Sequence, residues 1–270
     1  MSGVVAVETP GGNPGTLVVD LDGVMYVGSE PVPGAAAALE KLQDAGWRVL
    51  FVTNNSTKER RVAAETIAER TGFPAHEDQV LTSGYSTARY LAGHVQRVFV
   101  VGAPGLAATL TAEGIEVVDT HEDAEAAVVG LDPELTYDKL VEATLAVRAG
   151  ARLVATNSDA TYPTPRGLYP GGGALVAALE RATDAVAEVC GKPHEPMRKL
   201  VRAMVGLGPV VVVGDRPETD LALAGAEGWH RVLVLTGVTD EPSGVPEEYA
   251  PDLVLASIAE LPDVIANLVG

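Results

Sequence analysis

The chain has 270 residues, which against ~150 per domain allows one large or two medium domains with ample chain for a core. Its 37 Asp and Glu outnumber 19 Lys and Arg for a net charge of −18, which argues against nucleic acid as a partner because phosphate backbones attract clustered cations. The longest apolar run is six residues, 174–179, far short of the ~20 that cross a bilayer, so no membrane span is expected.

The first fifteen residues hold no Lys or Arg and no apolar stretch of secretory length, and read as a polar start rather than a signal peptide. From residue 16 short β-branched runs alternate with Ala-rich amphipathic stretches, the pattern of crossover helices covering a parallel sheet. In chain order the pattern predicts a strand over 16–20, a helix over 33–45, a strand over 48–53, and helices over 58–71 and 83–93. Then come a strand over 97–102, a helix over 104–113, strands over 116–118 and 127–131, a helix over 136–149 and a strand over 152–156. Helices over 173–182 and 196–205, a strand over 209–214, a helix over 217–226 and strands over 232–236 and 253–256 complete the series. Many of the helices carry Pro near the first turn or Gly near the end. The class is α/β. The single Cys190 has no internal disulfide partner, which fits a reducing cytoplasm, and it reads as a small packed residue. The triplet Gly171-Gly172-Gly173 reads as a tight helix entry or hinge, since no Gly-Lys-Ser/Thr follows it.

In a parallel sheet, functional side chains collect at the carboxyl ends of strands. Four places qualify: Asp20-Leu21-Asp22-Gly23, Thr53-Asn54-Asn55-Ser56, Gly191-Lys192-Pro193, and Gly214-Asp215-Arg216 continuing to Asp220. Taken singly, each has a bland reading. An Asp after a strand is often a turn former or helix cap, and Thr53 to Ser56 would serve as a cap for the helix at Lys58. Taken together, Asp20, Asp22, Asp215 and Asp220 in one pocket would repel by about 4 kcal/mol per pair at ~4 Å and an effective dielectric of ~20. A hard divalent cation with oxygen ligands, Mg²⁺ above all, relieves that repulsion when a substrate phosphate completes its shell. Lys192 adds positive charge, and Thr53, Asn54 and Asn55 offer neutral donors to phosphate oxygens. The set has the shape of a phosphoryl-transfer site. Asp20 is the candidate nucleophile, and Asp22, two residues on, the candidate general acid and base.

These residues resemble the four motifs of the haloacid dehalogenase superfamily: Asp20-Leu-Asp-Gly-Val, Thr53-Asn-Asn, Lys192, and Gly214-Asp215 with Asp220. Val52-Thr-Asn-Asn-Ser, Leu81-Thr-Ser-Gly, Leu131-Asp-Pro-Glu-Leu-Thr-Tyr, Pro163-Thr-Pro-Arg-Gly-Leu and Gly214-Asp-Arg-Pro-Glu-Thr-Asp resemble its class IIA branch, the NagD-like, p-nitrophenyl phosphatase and phosphoglycolate phosphatase-like group. The resemblance implies a Rossmann-like doubly wound core over 1–94 and 188–270, with an α/β cap inserted over 95–187. It implies Mg²⁺ held by the Asp20 side chain, the Asp22 main-chain carbonyl and Asp215, with Asp220 supporting from behind. Because dehalogenases and phosphonatases of the superfamily lack the second aspartate, Asp22 points to phosphate-ester hydrolysis. The expected substrate is a small phosphorylated metabolite, and relatives commonly pair through their caps as homodimers. Many relatives have Asn-Pro-Asp where this chain has Asn157-Ser158-Asp159. Asp159 and Tyr162 in this cap region are candidates for substrate contact.

A nucleotide or pyridoxal phosphate would satisfy the same core. From a different class, a phospho-acceptor regulatory protein also gathers acidic residues, a hydroxyl and a Lys on a doubly wound sheet, but the inserted segment and the late Asp215 and Asp220 count against it.

Overall fold

A computed structural model describes residues 14–164 and 166–270; the polar start up to residue 13 and Pro165 of the cap motif lie outside them. The first sheet is parallel and has six strands in the spatial order Val80–Thr82, Arg48–Thr53, Thr16–Val19, Val210–Gly214, His230–Val234, Leu253–Leu255. The chain therefore begins in the middle, winds to one edge, returns to the middle and winds to the other, which is the doubly wound arrangement expected. Val18 lies opposite Leu50 on one neighbouring strand and Val212 on the other. Because side chains alternate across a strand, Leu17 and Val19 enter a cluster with Leu39, Phe51, Ile67 and Leu261. Val18 enters the opposite one with Val52, Met197, Val201 and Leu223. Both faces are covered, which is why these strands read as unbroken apolar runs.

The second sheet is also parallel, with five strands in the order Glu116–Val118, Arg97–Val101, Ala126–Val129, Arg152–Ala155, Glu188–Val189. Helices Tyr137–Arg148 and Gly172–Thr183 cover one face, packing Ala143, Ala146, Leu175 and Leu179 against Phe99, Val129 and Leu153. On the other face Leu106 and Leu110 meet Ala88 and Leu91, so helix Ser83–Leu91 is shared between the two sheets. Glu188–Val189 pairs with Val154 and Ala155. In place of the expected return at 187/188 we infer that the inserted unit closes after Val189.

Several elements differ from the pattern-based expectation. Val80–Thr82 is a strand of three residues, and Glu188–Val189 one of two, too short to show a period. The hairpins Tyr26–Val27 with Glu30–Pro31 and Thr161–Thr164 with Gly167–Pro170, and the last helix, Leu261–Val269, were likewise unpredicted. The expected helix over 217–226 opens as a π-helical turn, Pro217–Leu221, before helix Ala222–Glu227; Asp220 Oδ2 accepts a bond from the Arg216 amide there, at 3.1 Å. The glycine triplet is a tight helix entry. A Cβ on Gly171 or Gly173 would come within 2.3 Å of the carbonyl oxygens of Asp159 and Ser158 respectively. Among the described residues no helix is long and apolar enough to cross a membrane.

Candidate active site

The first strand and the fourth, Thr16–Val19 and Val210–Gly214, are neighbours from which the chain winds in opposite directions, so a crevice opens beyond their carboxyl ends. Asp20 continues the first strand, its amide donating to Val213 O at 3.0 Å, and Asp215 directly follows the fourth. Oxygens of Asp20, Asp215 and Asp220 all lie within 4.8 Å of one another. Lys192 reaches into this group from the loop before helix Glu195–Met204. Its Nζ donates to Asp20 Oδ1 at 2.5 Å, Asp220 Oδ1 at 2.7 Å and Val52 O at 2.8 Å. Four residues distant in sequence thus meet where the sheet topology reverses.

The charges do not balance. Three carboxylates face one ammonium, and Asp20 and Asp220 expose only 11% and 2% of their side chains. Burial lifts the Asp20 carboxyl well above the usual range; Lys192 opposes the rise, and Asp220 and Asp215 add to it. Burial, then Asp220, pushes Asp215 up to about 6. Burial alone would lower the Lys192 ammonium, but Asp20 and Asp220 together raise it, so it stays charged. Asp215 Oδ2 accepts from the Val238 amide at 2.6 Å, while Asp215 Oδ1 is buried with no partner. A bare carboxylate oxygen in a group of excess negative charge fits a hard cation with oxygen ligands. Gly23 makes room for this carboxylate: at φ +90° it sits so close that a Cβ would lie 2.5 Å from Asp215 Oδ2.

Asp22 stands apart from the three. The chain turns back after it, Gly23 N donating to Tyr26 O at 2.8 Å, and its side chain is solvent-exposed on a cleft of about 230 Å³ lined also by Thr53, Asn55, Lys58, Arg70 and Tyr162. Protein packed around the carboxyl raises its pKa, with Arg70 and Lys192 pulling the other way. Thr53 is buried, and its Oγ1 accepts from the Asn55 amide at 3.1 Å, leaving the hydroxyl proton to donate. Asn55 Oδ1 is occupied by the amide and hydroxyl of Thr57.

Both side-chain amide hydrogens of Asn54 are engaged within the protein. Nδ2 donates to Asp159 Oδ1 and Oδ2 at 3.2 and 3.3 Å and to Lys192 O at 3.3 Å, and Oδ1 accepts from Lys192 N at 2.7 Å. Asn54 O in turn accepts from Ser83 Oγ at 2.6 Å and Asn157 Nδ2 at 2.9 Å. The residue is a joint holding the inserted unit and the Lys192 loop together. Asn54→Ala is expected to lower kcat about ten- to hundredfold in steady-state assays, because the Lys192 backbone loses both of its ties to this side chain.

Of the two cap candidates, Tyr162 lines the cleft, set edge-on to Tyr169 with ring centres 6.0 Å apart. Asp159 does not line it. Asp159 takes both bonds from Asn54, and burial raises its pKa against the pull of Arg216. Cys190 is fully buried, and burial pushes its thiol up to about 12, as suits a packed residue. Lys58 and Arg70 were missed in the sequence because nothing in their spacing says that a loop and a helix end share one cleft.

Two family models and close relatives match this arrangement. The model described as haloacid dehalogenase-like hydrolase matches residues 17–116, and a second HAD-type hydrolase model matches residues 189–261. A D-glycerol 3-phosphate phosphatase of Mycobacterium tuberculosis is 42% identical over 226 residues, 82% of this chain, which spans 63% of that relative's length. An acid sugar phosphatase of Staphylococcus saprophyticus is 37% identical over 86% of this chain and 92% of its own. A crystal structure of glycerol phosphate phosphatase from Mycobacterium tuberculosis in complex with magnesium superposes with a TM-score of 0.84 at 37% identity, over 92% of this chain and 76% of that one. With the doubly wound sheet and the carboxylate–lysine group at its crevice, these matches establish that the chain belongs to the haloacid dehalogenase-like hydrolase family.

Proposed function

We propose that the protein is a cytoplasmic, Mg²⁺-dependent phosphatase that hydrolyses a small phosphomonoester through an aspartyl-phosphate on Asp20. The observation that carries this reading is the Asp20 carboxylate held by Lys192 beside Asp215, whose second oxygen is buried and unpartnered. The phosphatase names of the relatives support it, as does the solved magnesium complex of the glycerol phosphate phosphatase.

In the first step an Asp20 oxygen attacks phosphorus, the bond from phosphorus to the ester oxygen breaks, and protonated Asp22 gives its proton to the departing alcohol. In the second step Asp22, now a carboxylate, takes a proton from water as that water attacks phosphorus, and phosphate leaves with Asp20 restored. Lys192 and the Thr53 hydroxyl offset charge on the phosphoryl oxygens. A divalent cation held by the Asp20 and Asp215 side chains and the Asp22 main-chain carbonyl, with Asp220 behind, would supply the remaining positive charge. Catalysis then rests on positioning and charge compensation inside a partly enclosed site.

The test is a panel of phosphomonoesters incubated with and without Mg²⁺. Many phosphates released per protein, abolished by a chelator, is the expected result. Release that stops at one equivalent would mark a phospho-acceptor instead. Asp22→Asn is expected to cut kcat on an alkyl phosphate by about 10²–10⁴-fold. The loss should be smaller on p-nitrophenyl phosphate, whose leaving group needs little protonation, and Mg²⁺ titration should show almost unchanged affinity. Since the acid form of Asp22 is required first, wild-type kcat/KM on the alkyl ester should fall as pH rises through its raised pKa, and that limb should vanish in the variant.

A further inference from the structure

Beyond strand Thr16–Val19 the chain passes Asp20 and Asp22 and enters a small hairpin, Tyr26–Val27 with Glu30–Pro31. Asp22 is joined to that hairpin. It pairs with Tyr26 in an isolated bridge, Gly23 N donates to Tyr26 O at 2.8 Å, and Tyr26 N donates to Leu21 O at 3.3 Å. The place of the hairpin therefore sets the direction in which the Asp22 side chain enters the cleft.

The hairpin has little to hold it there. Each of its strands has two residues, and even longer two-stranded ribbons are marginal in water. Of residues 26–31 only Tyr26 is buried. Among the described residues one side-chain hydrogen bond reaches the hairpin from another element, and Arg70 makes it. From the last turn of helix Arg60–Thr71, Arg70 Nη1 donates to Gly28 O, in the hairpin turn, at 2.6 Å. The same guanidinium lies over the Tyr26 ring, its carbon 4.6 Å from the ring centre. A planar cation that stacks and donates at once grips the turn and the strand together.

A basic residue in the last turn of a helix commonly does no more than offset the helix dipole. Arg70 is half-buried, lines the cleft beside Asp22, and among the described residues forms no ion pair. In a chain of net charge −18 acidic partners are abundant, yet its contacts go to the hairpin that carries Asp22.

We propose that Arg70 is a positioning residue for the general acid: through Gly28 O and the Tyr26 ring it holds the hairpin that aims Asp22 at the leaving oxygen. The proposal rests on the phosphatase reading and on the part Asp22 plays in it. Its consequence is selective. Asp22 gives its proton to the ester oxygen as the bond to phosphorus breaks, so a misaimed Asp22 slows an alkyl ester, whose alkoxide leaves poorly, and hardly affects a nitrophenyl ester.

The test measures kcat/KM with Mg²⁺ on glycerol 3-phosphate and on p-nitrophenyl phosphate, with phenyl phosphate in place of the first if that ester is turned over too slowly. This constant covers the steps up to departure of the alcohol and so leaves out the later attack of water. Arg70→Met is expected to lower it about tenfold or more on glycerol 3-phosphate and by less than about threefold on p-nitrophenyl phosphate. Arg70→Lys, which keeps the charge but not both contacts, should fall between wild type and Arg70→Met. In Asp22→Asn protein, Arg70→Met should cost nothing further on glycerol 3-phosphate, because no acid is left to aim. Equal losses on the two esters overturn the proposal, as does a loss repeated in full in Asp22→Asn protein; Arg70 would then serve the fold at large. Thermal unfolding reports whether Arg70→Met is folded, and if it is not, Arg70→Lys decides by the same two comparisons. Failure of the wider reading looks different. If Asp22→Asn itself loses equally on both esters, Asp22 is not the acid and the proposal falls with it; if wild-type protein hydrolyses neither ester, the phosphatase reading fails; if Asp22→Asn is selective and Arg70→Met is not, only the role of Arg70 fails.

Discussion

Asp20→Asn protein is expected to fold like the wild type and to lose at least about ten-thousandfold in kcat, because no other group in the crevice is placed to take the phosphoryl group from its ester. The substitution keeps the shape of the side chain and removes its nucleophilic charge. It also removes one of three crowded carboxylates, while Lys192 keeps Asp220 at 2.7 Å and Val52 O at 2.8 Å. Without added metal its unfolding midpoint should therefore equal or exceed that of wild type. Steady-state rates and a thermal melt on the same preparation check both halves. Residual turnover within a hundredfold of wild type would remove Asp20 from the role of nucleophile.

Lys192→Met should have the largest effect on stability. The ammonium is 4% exposed and serves two carboxylates at once, and removing one partner of such a buried group costs about 3–5 kcal/mol, since the charges left behind are uncompensated. The sign of the pH dependence follows from the raised carboxyl pKa values of Asp20 and Asp215. A carboxyl that titrates higher in the folded protein than in the unfolded chain contributes most at low pH, where it is neutral, and its contribution is lost as pH rises through the folded value. Without Lys192 these values rise further, so the deficit should be small at pH 4–5 and full at pH 7, measured by urea unfolding without metal. Adding Asp220→Asn to Lys192→Met should recover part of it by removing one stranded charge. Activity should fall by at least about a thousandfold at every pH, since the phosphoryl group loses its fixed cation. A deficit that does not change with pH would mean that Lys192 acts through packing rather than charge.

The regular part of the fold was legible because it rests on local pattern. The runs at Leu17–Val19, 49–52 and 210–213 have no polar interruption, and such runs are stable only when helices cover both faces of a parallel sheet. Prolines and glycines at the helix ends marked most of the boundaries. Elements too short to carry a period, such as Val80–Thr82 and Glu188–Val189, left no such trace. The second of these moved the inferred close of the inserted unit. The π-helical turn at Pro217–Leu221 was hidden for a related reason: the residues alone suit an ordinary helix, and the departure goes with a carboxylate folded back onto Arg216 N.

From its residues alone, the chain determined that it would build a two-sided parallel sheet, that Asp20, Asp22, Thr53 and Asp215 would lie at strand ends and that Lys192 would lie in a loop before a helix, because apolar periodicity and turn chemistry are properties of neighbouring residues. The tertiary structure alone decided what each side chain does once it is there. It tied the Asn54 side chain to Asp159 and to the Lys192 backbone, and brought Lys58 and Arg70 onto the wall beside Asp22. The physical reason is that a hydrogen bond or a charge contact depends on distance and direction in space. Residues separated in sequence by 105 positions, as Asn54 and Asp159 are, or by 172, as Asp20 and Lys192 are, acquire both only when the sheets close around them.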